Sequence, residues 1–116
     1  MFYCFDQNNS GGSFDIDGNV AQFVIIEAES AAQANERAES IGIYFNGVDE
    51  GHDCPCCGDR WYPVSGSDAE ASPEIFGKDP AKYRGAFTER GEVYCYVYYL
   101  SNIVEEHRHY PDQMVD

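Results

Sequence analysis

The sequence predicts a small α+β domain, in which a small antiparallel sheet carries one helix packed on a face and a long irregular insertion. Apolar runs of strand length occur near both ends of the chain, and one segment between them has helical periodicity. Residues 47–85 are rich in Gly, Pro, Asp and Ser and contain three of the five cysteines, so we interpret this stretch as the insertion. With 116 residues, the chain is expected to form a single domain, 1–116, around one modest core.

Five segments have the apolar patterns of strands. The second alternates apolar and polar residues, which is typical of a half-buried strand. The third is apolar on both faces and is therefore predicted to be central in the sheet. Turns rich in Gly, Asn, Asp and Ser separate neighbouring strands. The predicted strands cover residues 2–5, 14–16, 20–28, 92–100 and 103–109.

The clearest helix begins after Ser30, which is a favourable N-cap with Gln33 at the spacing of a capping box. Small apolar residues then recur with helical spacing and form a narrow stripe that can lie close to a sheet. Gly42 is placed to end the helix. The stripe consists of Ala31, Ala34, Ala38 and Ile41.

The chain is strongly acidic, with 21 Asp and Glu against 7 Lys and Arg and a formal net charge of −14. This charge argues against direct binding to a nucleic-acid backbone or to an anionic membrane. The N-terminus lacks the basic region of a secretory signal, and no apolar stretch is long enough to span a bilayer. An odd number of clustered cysteines fits a reducing compartment, so we expect a cytoplasmic protein.

The strongest local motif is Cys54-Pro55-Cys56-Cys57-Gly58, which matches one knuckle of a zinc ribbon with Cys54 and Cys57 as ligands. A structural zinc needs four ligands, and the second knuckle is missing. A redox role for Cys54 and Cys57 is less favoured, because no helix follows the motif. The alternative to zinc is a turn without a cofactor, whose thiols pack against Trp61. The candidates that could complete the zinc site are His52, Cys56, His107 and His109.

A second signal is the pairing of two polar segments, residues 6–12 and 59–62. The first offers amides and a hydroxyl on a glycine-flexible turn, and the second offers a guanidinium beside an indole. Such groups fix and stack a small ligand in a pocket, and the guanidinium suits phosphate or carboxylate. The alternative is an ordinary hairpin turn and a surface Arg–Trp stack. The candidate ligand-binding residues are Asn8, Asn9, Ser10, Asp59, Arg60 and Trp61.

Catalytic patterns are weak in this chain. Glu105, Glu106, His107 and His109 could form an acid–base or metal site, but a polar run on a terminal strand is typical of a solvated edge. The sequence contains no phosphate loop, nucleophile elbow, metalloprotease helix or dinucleotide glycine pattern. We therefore predict a protein that is not an enzyme, with a zinc-dependent enzyme as the second alternative.

Residues 1–12, MFYCFDQNNSGG, and 54–61, CPCCGDRW, resemble segments of small bacteriophage and prophage proteins of unknown function. The segments 24–39 and 42–45 are similar as well, so the likeness covers about the first half of the chain. The resemblance implies a phage origin, and hence the cytoplasm of the host cell as location. It implies no activity.

Small phage proteins without catalytic motifs commonly act on the host by binding. We therefore expect a protein that counters host defence by capturing a small, nucleotide-type ligand, and a homo-oligomer is a common way to build such a site. The alternative is an acidic mimic of nucleic acid that inhibits a host defence protein, as some anti-CRISPR proteins do. The mimic needs spaced carboxylates and has no use for Asp59, Arg60 and Trp61.

Overall fold

Four strands and one α-helix make up the regular structure within the residues that the computed structural model describes, 1–9, 12, 14–83 and 88–110. No helix in this part of the chain is long and apolar enough to cross a membrane. Two single 3-10 turns, Gly66–Asp68 and Pro80–Lys82, lie in the long irregular segment. The strands are β1 (Phe2–Asp6), β2 (Phe23–Glu27), β3 (Val93–Tyr98) and β4 (Val104–Arg108), and the helix is α1 (Ala31–Ser40).

The four strands form one mixed sheet in the order β1-β2-β3-β4. The predicted α+β class with a small sheet is confirmed, and so are the helix and the Cys-containing insertion. The sheet, however, is not antiparallel throughout: β1–β2 and β3–β4 are antiparallel, whereas the central pair β2–β3 is parallel. The central pair is parallel because α1 and the irregular segment connect β2 to β3. A connection of this length allows a crossover, whereas a hairpin would make the two strands antiparallel.

The prediction of a strand over residues 14–16 is wrong, because the structure has irregular backbone there. The side chain of Gln7 takes the place of a partner strand. Its Oε1 accepts a hydrogen bond from the Asp15 amide at 2.5 Å, and its Nε2 donates to the carbonyl of the same residue at 3.0 Å. A side-chain amide thus satisfies the backbone groups that a sheet would otherwise pair.

The helix follows the sequence prediction at both ends. The Ser30 hydroxyl accepts a hydrogen bond from the Gln33 amide at 3.1 Å, as an N-cap does. At the other end, Gly42 adopts a φ of +111°, which ends the helix in a conformation that favours glycine. Ala34 and Ala38 are fully buried, and their small side chains let α1 pack closely against the sheet.

Both faces of the two central strands are buried. Val24, Ile26, Tyr96 and Tyr98 belong to the core on the α1 side, whereas Phe23, Ile25, Cys95 and Val97 belong to a second cluster with Ile75 on the opposite side. At one end of the sheet β1 stops and both β2 and β3 begin, because β1 runs opposite to β2 and β2 runs parallel to β3. Polar chain segments gather at this end.

Candidate functional site

The structure brings the two polar segments of the sequence together. The Asn8 amide donates a hydrogen bond to the Arg60 carbonyl at 2.8 Å. The Asn8 side chain donates to the carbonyls of Cys57 at 2.8 Å and Asp59 at 3.1 Å. The turn after β1 and the segment after the cysteine motif therefore form one structural unit that is joined through Asn8, which we call the Asn8 unit.

Arg60 is the centre of this unit and lies inside the protein, with 9% of its side chain exposed. Nη1 donates to Gln7 Oε1 at 2.9 Å, and Nε lies 3.2 Å from the Tyr44 hydroxyl. Nε is also 3.2 Å from a carboxylate oxygen of Asp15 and 3.6 Å from one of Asp53. The guanidinium thus connects three segments that are distant in sequence, and its charge is compensated from within the protein.

Asp53 completes the network with a side chain that is fully buried. Its carboxylate accepts hydrogen bonds from the Tyr44 hydroxyl and the Arg60 amide, both at 2.8 Å. Desolvation, followed by the hydrogen bond to Asp53, raises the pKa of Tyr44. Gly47 is required beside this carboxylate, because a Cβ at this position would lie 1.8 Å from an Asp53 oxygen. The segment around residues 44–53 is therefore built to enclose an acid.

The six candidate ligand-binding residues have different surroundings. Trp61 is 1% exposed and belongs to the core under α1. Arg60 has the internal partners described above, and Asp59 Oδ1 accepts a hydrogen bond from the Val48 amide at 2.9 Å. Asn8 and Asn9 line a cleft, whereas Ser10 lies outside the described residues. The positions of Arg60 and Trp61 favour a structural role over direct contact with a ligand.

The cleft lies at the end of the sheet where β1 stops, and its volume is about 970 Å³. Its described lining combines side-chain amides, aromatic rings and carboxylates. The amides belong to Gln7, Asn8, Asn9 and Gln22. The aromatic residues are Phe14, Phe23, Tyr62, Phe76 and Tyr83, and the carboxylates are Asp6, Glu89 and Glu92.

Three of the aromatic residues form a compact cluster in this cleft. The ring centroids of Phe23 and Tyr83 are 5.0 Å apart, those of Phe23 and Phe76 are 5.8 Å apart, and those of Phe76 and Tyr83 are 6.2 Å apart. Phe23 is 1% exposed, whereas Phe76 is 71% exposed. The cluster therefore extends from the core to the solvent, and its exposed ring, that of Phe76, offers surface to a bound molecule.

The three clustered cysteines form a second candidate site beside the Asn8 unit. The Sγ atoms of Cys54, Cys56 and Cys57 all lie within 4.8 Å of one another. The Cys57 and Gly58 amides both donate to the Cys54 carbonyl at 3.1 Å, and Gly58 adopts a φ of +86° that closes the turn. This arrangement can hold a metal ion, as the sequence motif predicts in part.

The distances between the thiols test whether zinc fits. Two thiolates on a tetrahedral zinc are about 3.8 Å apart, given Zn–S bonds of about 2.3 Å. The Sγ atoms of Cys56 and Cys57 have this separation, at 3.8 Å, whereas those of Cys54 and Cys56 are in close contact at 2.7 Å. This contact lowers the pKa of Cys54 and raises the pKa of Cys56 to about 11. Zinc would fit after a small separation of these two thiols.

The histidines that could complete a zinc site do not join the cysteines. His52 lies outside the cluster, with Nε2 4.0 Å from a Glu50 oxygen. The His107 side chain is 14% exposed, and its Nε2 is 2.8 Å from a Glu105 oxygen on the same face of β4, whereas His109 Nδ1 is 2.7 Å from the Thr88 carbonyl oxygen. The Glu105–His107 contact is a carboxylate–imidazole pair on the edge strand β4, and neither residue belongs to the described lining of the cleft or to the thiol cluster.

Sequence reasoning missed several residues that shape the site. Asp53 gave no sequence signal of burial, because an acid in a loop is usually exposed. Tyr44 and Gly47, which lie beside it, gave no sequence signal either. Phe76 gave a weak signal, since it precedes a glycine in a segment of low hydrophobicity.

Fold and site together define a small α+β domain with an aromatic and acidic cleft next to a three-thiol turn. Over residues 1–114 the chain matches the family described as Domain of unknown function (DUF7296). It therefore belongs to this family. No curated protein and no solved structure matches the chain.

Replacing Arg60 tests whether its role is structural. Arg60→Ala is expected to lower the free energy of unfolding by about 3–5 kcal/mol, because it leaves the buried Asp53 carboxylate uncompensated. Arg60→Lys keeps the charge but loses the forked geometry of the guanidinium, so its free energy of unfolding is expected to fall by less. Urea denaturation measures both.

Arg108→Ala is the matched control, because Arg108 pairs with Glu106 on the surface, where such a pair contributes less than about 1 kcal/mol. Equally small losses for Arg60→Ala and Arg108→Ala would contradict the structural role of Arg60.

Proposed function

We propose that this protein is a non-enzymatic binding protein that captures a small ligand in the cleft. The observation that carries the proposal is the composition of the cleft, a concave site of about 970 Å³ whose described lining combines rings for contact with amides for orientation. Ligand sites commonly have this combination of apolar surface and a few polar groups. The Asn8 unit supports the site, because it holds one side of the cleft in place.

The chemistry of the lining supports binding over catalysis. Among the lining residues that the structure describes there is no histidine, cysteine, serine or lysine, and the groups there that can carry a proton are mainly the carboxylates of Asp6, Glu89 and Glu92. The three thiols belong to the separate turn at 54–57. The amides of Asn8 and Asn9 can orient a ligand but do not titrate.

The sequence resemblance extends this proposal to the origin, the location and the role of the protein. The protein would be encoded by a phage, act in the cytoplasm of the host and counter host defence by removing a small molecule. A nucleotide-type ligand is the prediction made from the sequence, and acidic mimicry of nucleic acid is the alternative. The mimic would use the net charge of −14 and would not need the cleft.

Analysis of released molecules tests ligand capture. The protein is purified from the cells in which it acts and denatured gently, and the released compounds are identified by mass spectrometry. Asn9→Trp is expected to abolish retention of the compound, because Asn9 is exposed in the lining and an indole there would fill the cleft.

Glu39→Trp is the matched control, since Glu39 is exposed on α1 and does not line the cleft. The proposal would be overturned if the native protein released nothing and instead bound tightly to a protein that handles nucleic acid. Equal retention by the two tryptophan variants would place the ligand outside the cleft.

We further propose that Cys54, Cys56 and Cys57 supply three of the four ligands of a structural zinc ion. Thiolates are preferred zinc ligands, and the glycine-closed turn directs three of them to one point. Zinc bound there would cross-link the turn whose Cys57 carbonyl accepts a hydrogen bond from Asn8. The ion would thus stabilise the unit next to the cleft and would not take part in a reaction.

Elemental analysis tests the zinc site. The native protein is expected to hold about one zinc per chain, and Cys57→Ser is expected to lose most of it, because the variant has one thiolate fewer. Cys4→Ser is the control, because Cys4 lies on β1 and is not one of the three clustered thiols. Desolvation, followed by the Asp6 charge, raises the pKa of Cys4 to about 12, which disfavours the thiolate that zinc needs. A protein that stays free of zinc after incubation with the metal would contradict the proposal.

A further inference from the structure

The lining of the cleft also indicates which class of ligand it takes. We infer that the cleft binds a small organic cation, an amine or a quaternary ammonium compound, between the aromatic cluster of Phe23, Phe76 and Tyr83 and the Asp6 carboxylate. This inference rests on the proposed ligand-binding function, and it replaces the nucleotide-type ligand predicted from the sequence with a cationic one.

The charges around the cleft favour a cation. Three carboxylates, those of Asp6, Glu89 and Glu92, line the cleft, and none of its described lining residues is a lysine or an arginine. Arg60 lies within hydrogen-bonding distance of Gln7 and Tyr44 inside the protein and is not part of the described lining. A phosphate would be repelled by these carboxylates, whereas a cation would be attracted.

An acid lies next to the rings of the cleft. Asp6 is the last residue of β1 and lies opposite Phe23 in the register of the sheet. Its charge also acts on Tyr83, whose pKa is raised by desolvation and then by Asp6. Aromatic faces attract cations, and ammonium groups are commonly held by several rings together with a carboxylate. The cleft has both groups side by side.

A tight turn exposes Phe76. Residues 75–78 form a two-residue hairpin, in which the Ile75 amide donates to the Lys78 carbonyl at 2.9 Å and the Lys78 amide donates to the Ile75 carbonyl at 3.0 Å. The central residues Phe76 and Gly77 have φ values of +49° and +80°, as in a type I′ turn.

Asn-Gly is the favoured sequence in such a turn, and a bulky residue at positive φ is rare. Phe76 thus occupies an unfavourable backbone conformation, and 71% of its surface is exposed to solvent. The edge-to-face contact with Phe23 accounts for only part of the ring, because most of it remains open to solvent. Contact with a ligand gives a further reason for phenylalanine at this position, because strained residues concentrate at binding sites.

A titration with matched probes tests the inference. Choline is compared with its uncharged carbon isostere, dimethylbutanol, and with adenosine monophosphate, and binding is followed by NMR shifts of the amides in the full-length protein. We expect choline to bind at least about tenfold more tightly than the isostere, with shifts at Phe23 and Phe76, because only choline has the charge.

Two variants locate the binding energy. Phe76→Asn is expected to weaken choline binding about fivefold or more while leaving the urea midpoint equal or higher, because asparagine suits the turn and the ring is lost. Asp6→Asn is expected to weaken choline binding by a similar factor, because the charge is lost. The controls are Ile103→Asn, an exposed apolar residue of the β3–β4 connection, and Asp49→Asn, an exposed acid, and both should bind like the native protein.

The outcomes separate this inference from the proposed function. Equal binding of choline and the isostere, or binding of adenosine monophosphate in place of choline, would overturn the organic cation and leave ligand capture standing. An anionic or neutral compound released from the purified protein would do the same. If no probe bound in the cleft and the protein released no compound, both the inference and the proposed function would be overturned.

Discussion

The buried contact between Arg60 and Asp53 is the constraint on which the rest of the site depends. A guanidinium and a carboxylate that are both removed from water must be compensated locally, and Gln7, Tyr44 and Asp15 surround them for this purpose. These groups come from the turn after β1, the segment after α1 and the segment after the cysteine motif. The network therefore fixes loops that have little regular structure, and one of them, the segment after β1, lines the cleft.

The parts of the fold that follow from local periodicity could be predicted from the sequence. The apolar run of β2 and the capped alanine stripe of α1 carry their own signals, because burial and capping act over a few residues. The direction of β3 could not be predicted, because it depends on how the chain crosses between β2 and β3 over a long irregular segment. The supposed strand at 14–16 failed for a similar reason, since its partner is the Gln7 side chain.

The candidate site could be predicted only in part. The sequence identified the two polar segments and the three cysteines, and the structure brings both together through Asn8. The sequence could not show that Arg60 is enclosed, because an arginine beside a tryptophan has the same sequence pattern on a surface and in a core. Phe76 shows the opposite case, a large aromatic residue that is exposed by a turn. In both cases the environment is set by distant segments.

The most direct test of the account is a double-mutant cycle on the free energy of unfolding, with Arg60→Ala, Asp53→Asn and the double variant measured by urea denaturation. If the two side chains form one compensated pair, the loss in the double variant is expected to be smaller than the sum of the single losses by about 1–3 kcal/mol. Losses that add to within about 0.5 kcal/mol would show that the two groups act independently and would contradict the central role of the contact.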